Sequence, residues 1–189
     1  MSYKEITGQP CSGKTQFLTN EVQSNSQSEA YHQGAFRKVL NFLIGIYYLG
    51  FHRTITIYKW SMLESASLLF RHNIFRNAVT KFGIFHSLYP LAKNDSSIHY
   101  IDEGISHLPY LFQNTSTKMI VEFLSSELKD IEIILIESPA GNEIQNRLMN
   151  RGHKRLNFMS VETFVSRNME IDSILRGLYP KLCKTMDVS

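Results

Sequence analysis

Gly8-Gln9-Pro10-Cys11-Ser12-Gly13-Lys14-Thr15 decides how this chain is read. The octapeptide satisfies every fixed position of the pattern G-x-x-x-x-G-K-[ST]. Before it runs Tyr3 to Thr7, a short strand-like stretch whose larger apolar members are Tyr3 and Ile6. After it comes Gln16-Phe17-Leu18-Thr19-Asn20-Glu21-Val22, which reads as a helix. Strand, loop and helix in that order are the context that turns the pattern into a site.

The residue types suit phosphate. Gly8 and Gly13 admit backbone conformations and close approaches that a side chain would block. The segment Gly8, Pro10, Cys11, Ser12, Gly13, Lys14, Thr15 and Gln16 is therefore the expected binding loop. Its amides converge as an anion nest, and the following helix adds the positive end of its dipole. Lys14 is expected to reach the outer phosphates, and the Thr15 hydroxyl to ligate magnesium. The plain alternative is a glycine turn ahead of a helix cap. The flanking strand and helix disfavour it, so ATP with Mg2+ is the expected ligand.

The whole chain narrows the class. At 189 residues it has the length of one domain, 1–189, with room for a substantial core. A 43% hydrophobic and 20% charged composition is that of a folded protein and excludes a disordered tail. The formal charge of +3 suits an anionic small molecule, and it is too weak to argue for nucleic acid. Cys11 and Cys183 form neither a metal cluster nor a disulfide framework, which points to a reducing compartment. The longest apolar run, Phe42 to Phe51, is far shorter than the ~20 residues that span a bilayer. A cytoplasmic protein without a transmembrane segment is expected.

Outward from the loop, Asn20 to Gln33 is polar and reads as a helix end followed by a surface loop. Residues 34–89 are rich in Phe, Leu, Ile and Tyr at helical spacing, seen in Phe36, Val39, Leu40, Leu43, Ile44 and Tyr47. Within them Arg53 to Lys59 alternates like a strand, but the flanking patterns favour a mostly helical insert. Its basic residues, Lys81 among them, read as a solvated face. Asn77 and Lys81-Phe82-Gly83 form a polar cluster that reads as leading into a turn.

Asn94-Asp95-Ser96-Ser97 is a turn feeding a short buried strand, Ile98 to Ile101, which ends in Asp102-Glu103-Gly104. An apolar strand ending in an acid beside a phosphate loop is suited to hold a metal through Asp102. Glu103 is then placed to act as a base or to orient the attacking group. An ordinary acidic turn is the alternative. Thr115 to Leu128 reads as an amphipathic helix, and Ile131 to Ile136 as an interior parallel strand. After Glu137-Ser138-Pro139-Ala140-Gly141 a helix opens near Asn142 and carries Arg147 and Arg151 on one face. Gly152 ends it, and Arg155 follows. Taken alone, Arg147 reads as the partner of Glu143 on a solvated face.

In order, GQPCSGKT, IHYIDEG and IEIILIES followed by NEIQNRLMNRGHKR resemble the nucleoside and nucleotide kinase-like phosphate-loop proteins, the adenylate- and thymidylate-kinase relatives. The resemblance implies an α/β, three-layer P-loop NTPase fold with a short parallel sheet, a helical insert and an arginine-bearing lid. The lid would be 142–157, with Arg147 and Arg151 closing over the transferred group and Arg155 beside them. It implies a kinase that moves the ATP γ-phosphoryl group to a small-molecule or nucleotide acceptor. Lys14, Glu103, Arg147 and Arg151 would be catalytic, and Thr15 and Asp102 would hold the metal. The resemblance departs from the family in 34–89, which lacks any Asp-Arg-Tyr or Asp-Gly-Phe-Pro-Arg signature, so the acceptor is undefined. The strand after the last helix, Leu182 to Val188, is short. The Asp102-Glu103 pair keeps open an ATPase or nucleotide-dependent regulatory module. No nucleic-acid partner is expected.

Overall fold

The computed structural model describes residues 3–24, 28–30, 34–94, 98–129, 131–136, 141–178 and 183–186. β1 (Tyr3–Thr7) leads through the glycine loop into α1 (Lys14–Ser24). β2 (Ser28–Ala30) follows, then two long helices, α2 (Ala35–Leu63) and α3 (Leu68–Asn94). β3 (Ile98–Asp102) precedes a 3-10 turn (Ile105–His107) and three short helices. These are α4 (Leu108–Leu111), α5 (Thr117–Phe123) and α6 (Ser125–Leu128). β4 (Glu132–Ile136), α7 (Gly141–Arg151), a second 3-10 turn (Lys154–Asn157), α8 (Val161–Leu178) and β5 (Cys183–Met186) follow.

The result is an α/β chain, mostly helical, around a parallel sheet in the order β2-β3-β1-β4-β5. Strand period decides which side chains meet which helices. Tyr3, Ile101 and Ile133 share one face and join a large core with Ile74, Phe82, Ile120 and Leu175. Ile6, Tyr100, Ile134 and Ile136 point the other way and pack on Phe17 and Leu18 of α1. Both faces are thus apolar and covered, which explains the continuous hydrophobic run of β4. Register pairs Ile6 with Asp102 on one side and Ile134 on the other. The carboxyl ends of β1 and β3 therefore lie together, so the glycine loop and the acidic turn emerge side by side.

Three local expectations change, and the mostly helical reading of the insert holds at Arg53 to Lys59. The loop expected over Asn20 to Gln33 contains β2, paired in parallel with β3; three residues are too few to show strand alternation. Arg53 to Lys59 is helical, within α2. The Thr54 and Thr56 hydroxyls donate to the Gly50 and His52 carbonyls at 2.7 and 3.0 Å, a bond that helical threonines commonly make. α2 breaks instead at Gly50, whose φ of 64° is left-handed. The cluster Lys81-Phe82-Gly83 is buried mid-α3 and makes no turn. The helix expected over Thr115 to Leu128 divides at Leu124 into α5 and α6. Asp95-Ser96-Ser97 and Glu137-Ser138-Pro139-Ala140 lie outside the described residues. No described helix is long and apolar enough to cross a membrane.

Candidate functional site

The glycine loop is held in a conformation that its sequence requires. Gly8 has φ 142°, and a Cβ there would stand 2.7 Å from the Ile136 carbonyl of β4. Cys11 also adopts a left-handed φ of 66°. Ser12 N–H closes back on the Gln9 carbonyl at 3.3 Å, while the Ser12 hydroxyl is buried and has no partner among the described residues. Lys14 is 7% exposed. Its Nζ donates to the Gly8 and Gln9 carbonyls at 3.0 and 2.9 Å and lies 3.3 Å from Glu103 Oε1. The lysine therefore lies folded over its own loop, between the loop and the acidic turn.

The acidic turn is held from below. Asp102, the last residue of β3, is exposed; Glu103 takes a φ of 54° and donates its N–H to the Ile6 carbonyl at 2.9 Å. Beneath them lies Glu5 of β1, fully buried. It accepts the N–H groups of Ile105 and Ser106 at 3.1 and 2.7 Å and the Tyr3 hydroxyl at 3.0 Å. Glu5 thus satisfies the orphan donors that open the first 3-10 turn. Its carboxylate fills the space a side chain at position 104 would need, which is why Gly104 follows the acids. Burial pushes the Glu5 carboxyl up, partly offset by those donors. The buried Lys81 ammonium donates to the Glu103 carbonyl, and burial pushes its pKa down.

Electrostatics follow from this packing. Burial works against ionising Glu103, but His107, Lys81 and Lys14 together hold its carboxyl well below the usual range. Burial pushes the His107 imidazole down to about 3, against the pull of Glu103, so the ring is neutral at pH 7. His107 Nε2 lies 3.6 Å from Glu103 Oε2, and Nδ1 lies 3.4 Å from the Thr7 hydroxyl.

A cleft of about 1080 Å³ opens above these groups. Its walls include Pro10, Cys11, Ser12, Gly13, Lys14, Thr15 and Gln16 from the loop, with Asp102 and Glu103 beside them. Gly8 does not reach the wall; it lies under the loop against β4. Across the cleft stand Arg147 and Arg151 of α7, both exposed. Arg147 ion-pairs with Glu143 one turn earlier, and its Nη1 lies 3.4 Å from the Cys11 carbonyl. α3 closes a further side with Phe70, Asn73 and Asn77.

Arg155 differs in kind from the other two arginines. It sits in the second 3-10 turn, 6% exposed, paired to buried Glu64 at 2.8 Å and donating to the Leu111 carbonyl. It ties the segment after α7 to the end of α2 and to α4, so its guanidinium is already committed.

Sequence reasoning missed Glu5, Lys81, His107 and Asp172. Asp172 of α8 accepts from Gln9 Nε2 at 3.5 Å and from the Tyr110 hydroxyl, and burial pushes its carboxyl up to about 6. An acid inside a strand and a lysine inside an apolar helical stretch were the available signals for Glu5 and Lys81. Thr15 and Asp102 both line the cleft, and the described residues hold no group of three or more His, Cys, Asp or Glu suited to a metal. No family model matches this chain, and no curated protein matches it in sequence.

Proposed function

We propose that this chain is a P-loop phosphotransferase of the nucleoside and nucleotide kinase-like type, moving the γ-phosphoryl group of ATP to a small-molecule or nucleotide acceptor. One observation carries the reading. Lys14 lies between the glycine loop and the acidic strand end, 3.3 Å from Glu103, at the carboxyl ends of two adjacent parallel strands. Support for the three-layer P-loop fold comes from the all-parallel order, with the acid-ending β3 next to the loop-bearing β1. The buried Ser12 hydroxyl, without a partner among the described residues, and the left-handed loop residues suit a ligand that brings its own acceptor oxygens.

In this reading Lys14 exchanges its loop carbonyls and Glu103 for phosphate oxygens, which frees the Glu103 carboxylate. That carboxylate, held at a low pKa, is a weak proton acceptor and serves chiefly to orient the attacking hydroxyl or phosphate. Neutral His107 steadies it from 3.6 Å. Arg147 and Arg151, exposed across the cleft, close on the phosphoryl oxygens as charge develops there. The acceptor binds against Phe70, Asn73 and Asn77. Thr15 and Asp102 would hold a magnesium ion, which keeps most of its ligands as water and phosphate oxygens and neutralises charge on the latter. A reducing, cytoplasmic setting fits the free Cys11 in the loop.

A second reading, an ATPase or nucleotide-dependent regulatory module, is favoured by the Glu103 carboxylate, 38% exposed beside the exposed Asp102, where a water can be held. Incubation with Mg-ATP, with and without a pooled small-metabolite extract, separates the two. ADP formation that requires the extract supports the kinase. Equal formation without it supports the ATPase, and no ATP binding by calorimetry overturns both.

A further inference from the structure

The first half of α2 turns an apolar face to solvent. Phe36, Leu40, Leu43 and Tyr47 recur at three- and four-residue spacing, with Val39 and Tyr48 beside them and Phe51 just past the Gly50 break, and all are exposed. Phe36, Tyr47 and Phe51 are 81%, 80% and 76% exposed. Those three rings alone present on the order of 450 Å² of largely apolar surface, as much as the whole largest patch of an ordinary monomer. The spacing is that of an amphipathic helix whose buried side, Asn41, Gly45 and Leu49, faces the protein.

Charge selects the occupant. Residues 34–94 carry eight Lys and Arg, of which Lys81 is buried and Arg53 pairs with Glu127, against one acid, Glu64, itself buried in its pair with Arg155. The rest of the chain carries twelve Lys and Arg against sixteen Asp and Glu. The α2–α3 hairpin is therefore a basic lobe on an otherwise acidic protein. Arg37 stands exposed at the flank of the apolar face, one residue on from Phe36, and Lys93 is exposed at the end of α3. The Ser87–Asn41 hydrogen bond of 3.3 Å brings that end of α3 alongside α2. A second copy would set one basic lobe against another. An anionic bilayer surface accepts both features, with the rings entering the headgroup region and the cations meeting lipid phosphates.

We propose that the first half of α2 docks this protein on the surface of an anionic phospholipid bilayer, lying in the interface without crossing it. None of the exposed α2 residues lines the cleft, so docking leaves the nucleotide site open and stands independently of its assignment.

The test is flotation of the full chain with vesicles of phosphatidylcholine alone or phosphatidylcholine mixed with phosphatidylglycerol. Binding is expected only to the mixed vesicles and weakens as salt is raised. The triple variant Phe36→Gln, Tyr47→Gln, Phe51→Gln should lose vesicle binding by roughly tenfold or more, with its circular dichroism and melting curve unchanged. Lys93→Glu should weaken binding about fivefold or more. Absence of binding to the mixed vesicles overturns the proposal, as does equal binding to both compositions. A dimer in sedimentation equilibrium that the triple variant dissolves also overturns it, by assigning the face to a second copy.

Discussion

Replacing Arg155 with Met tests whether this arginine holds the fold or acts on the reacting group. Its guanidinium meets Glu64 at 2.8 Å, donates to the Leu111 carbonyl and lies over the Phe70 ring. Glu64 is 1% exposed and receives only one other bond among the described residues, from Asn114 N–H at 3.0 Å. Arg155→Met keeps the packing volume but leaves a buried carboxylate without its cation. Breaking a buried pair from one side costs about 3–5 kcal/mol, a large share of the ~5–15 kcal/mol that stabilises a domain. For a chain of this length the melting temperature should fall by roughly 6–20 °C. The double variant Arg155→Met, Glu64→Gln should recover more than half of the loss, because it removes the stranded charge and keeps an acceptor for Asn114. Arg155→Lys should fall between, since an ammonium cannot span both Glu64 and Leu111 as the planar guanidinium does. Thermal unfolding by circular dichroism measures all three. If Arg155→Met melts with the parent, or the double variant is no more stable than the single, the tether does not exist.

Lys14→Ala should retain the fold and weaken ATP binding at least tenfold, roughly the loss of one charge-assisted contact; an unchanged calorimetric affinity refutes the loop assignment. Arg147→Ala and Arg151→Ala should each leave ATP affinity near normal and lower acceptor-dependent turnover roughly 10²-fold; parent-like steady-state rates in both would mean that α7 carries only a solvated basic face. Asp172, 7% exposed with its carboxyl raised from 3.8 to about 6, makes stability depend on pH. The native state holds its proton more tightly than the unfolded chain, so this contribution is complete below pH ~4 and is lost as pH rises through about 6. The loss is on the order of 3 kcal/mol, and Asp172→Asn should abolish it in denaturant titrations at pH 4 to 8. A variant with the parent's pH slope would show that other groups set it.

The local chemistry of this chain was legible in its sequence wherever a short stretch is sufficient in itself. Gly8 to Thr15 is one such stretch, because the backbone conformations of Gly8 and Gly13 and the reach of Lys14 are properties of eight consecutive residues. The apolar run of β4, ending strand signals at Asp102 and the stop at Gly152 are others, each set by side-chain period or by a glycine with φ of 68°. Helical spacing in Phe36, Leu40, Leu43 and Tyr47 correctly marks a helix, yet spacing says only that one face is apolar. That the face is exposed, while Asn41 and Gly45 are buried, depends on how α2 lies against α3. The buried polar groups were illegible for the same reason. Glu5 is satisfied by amides about one hundred residues away, Lys81 by the Glu103 carbonyl, and Arg155 by Glu64, 91 residues earlier. A charge in an apolar stretch looks like a solvated exception until its partner is known. The parallel register that sets β1 beside β3 supplies the partners of Glu5, and packing outside the sheet supplies those of Lys81 and Arg155, because hydrogen bonds and ion pairs are made in space and carry no period along the chain.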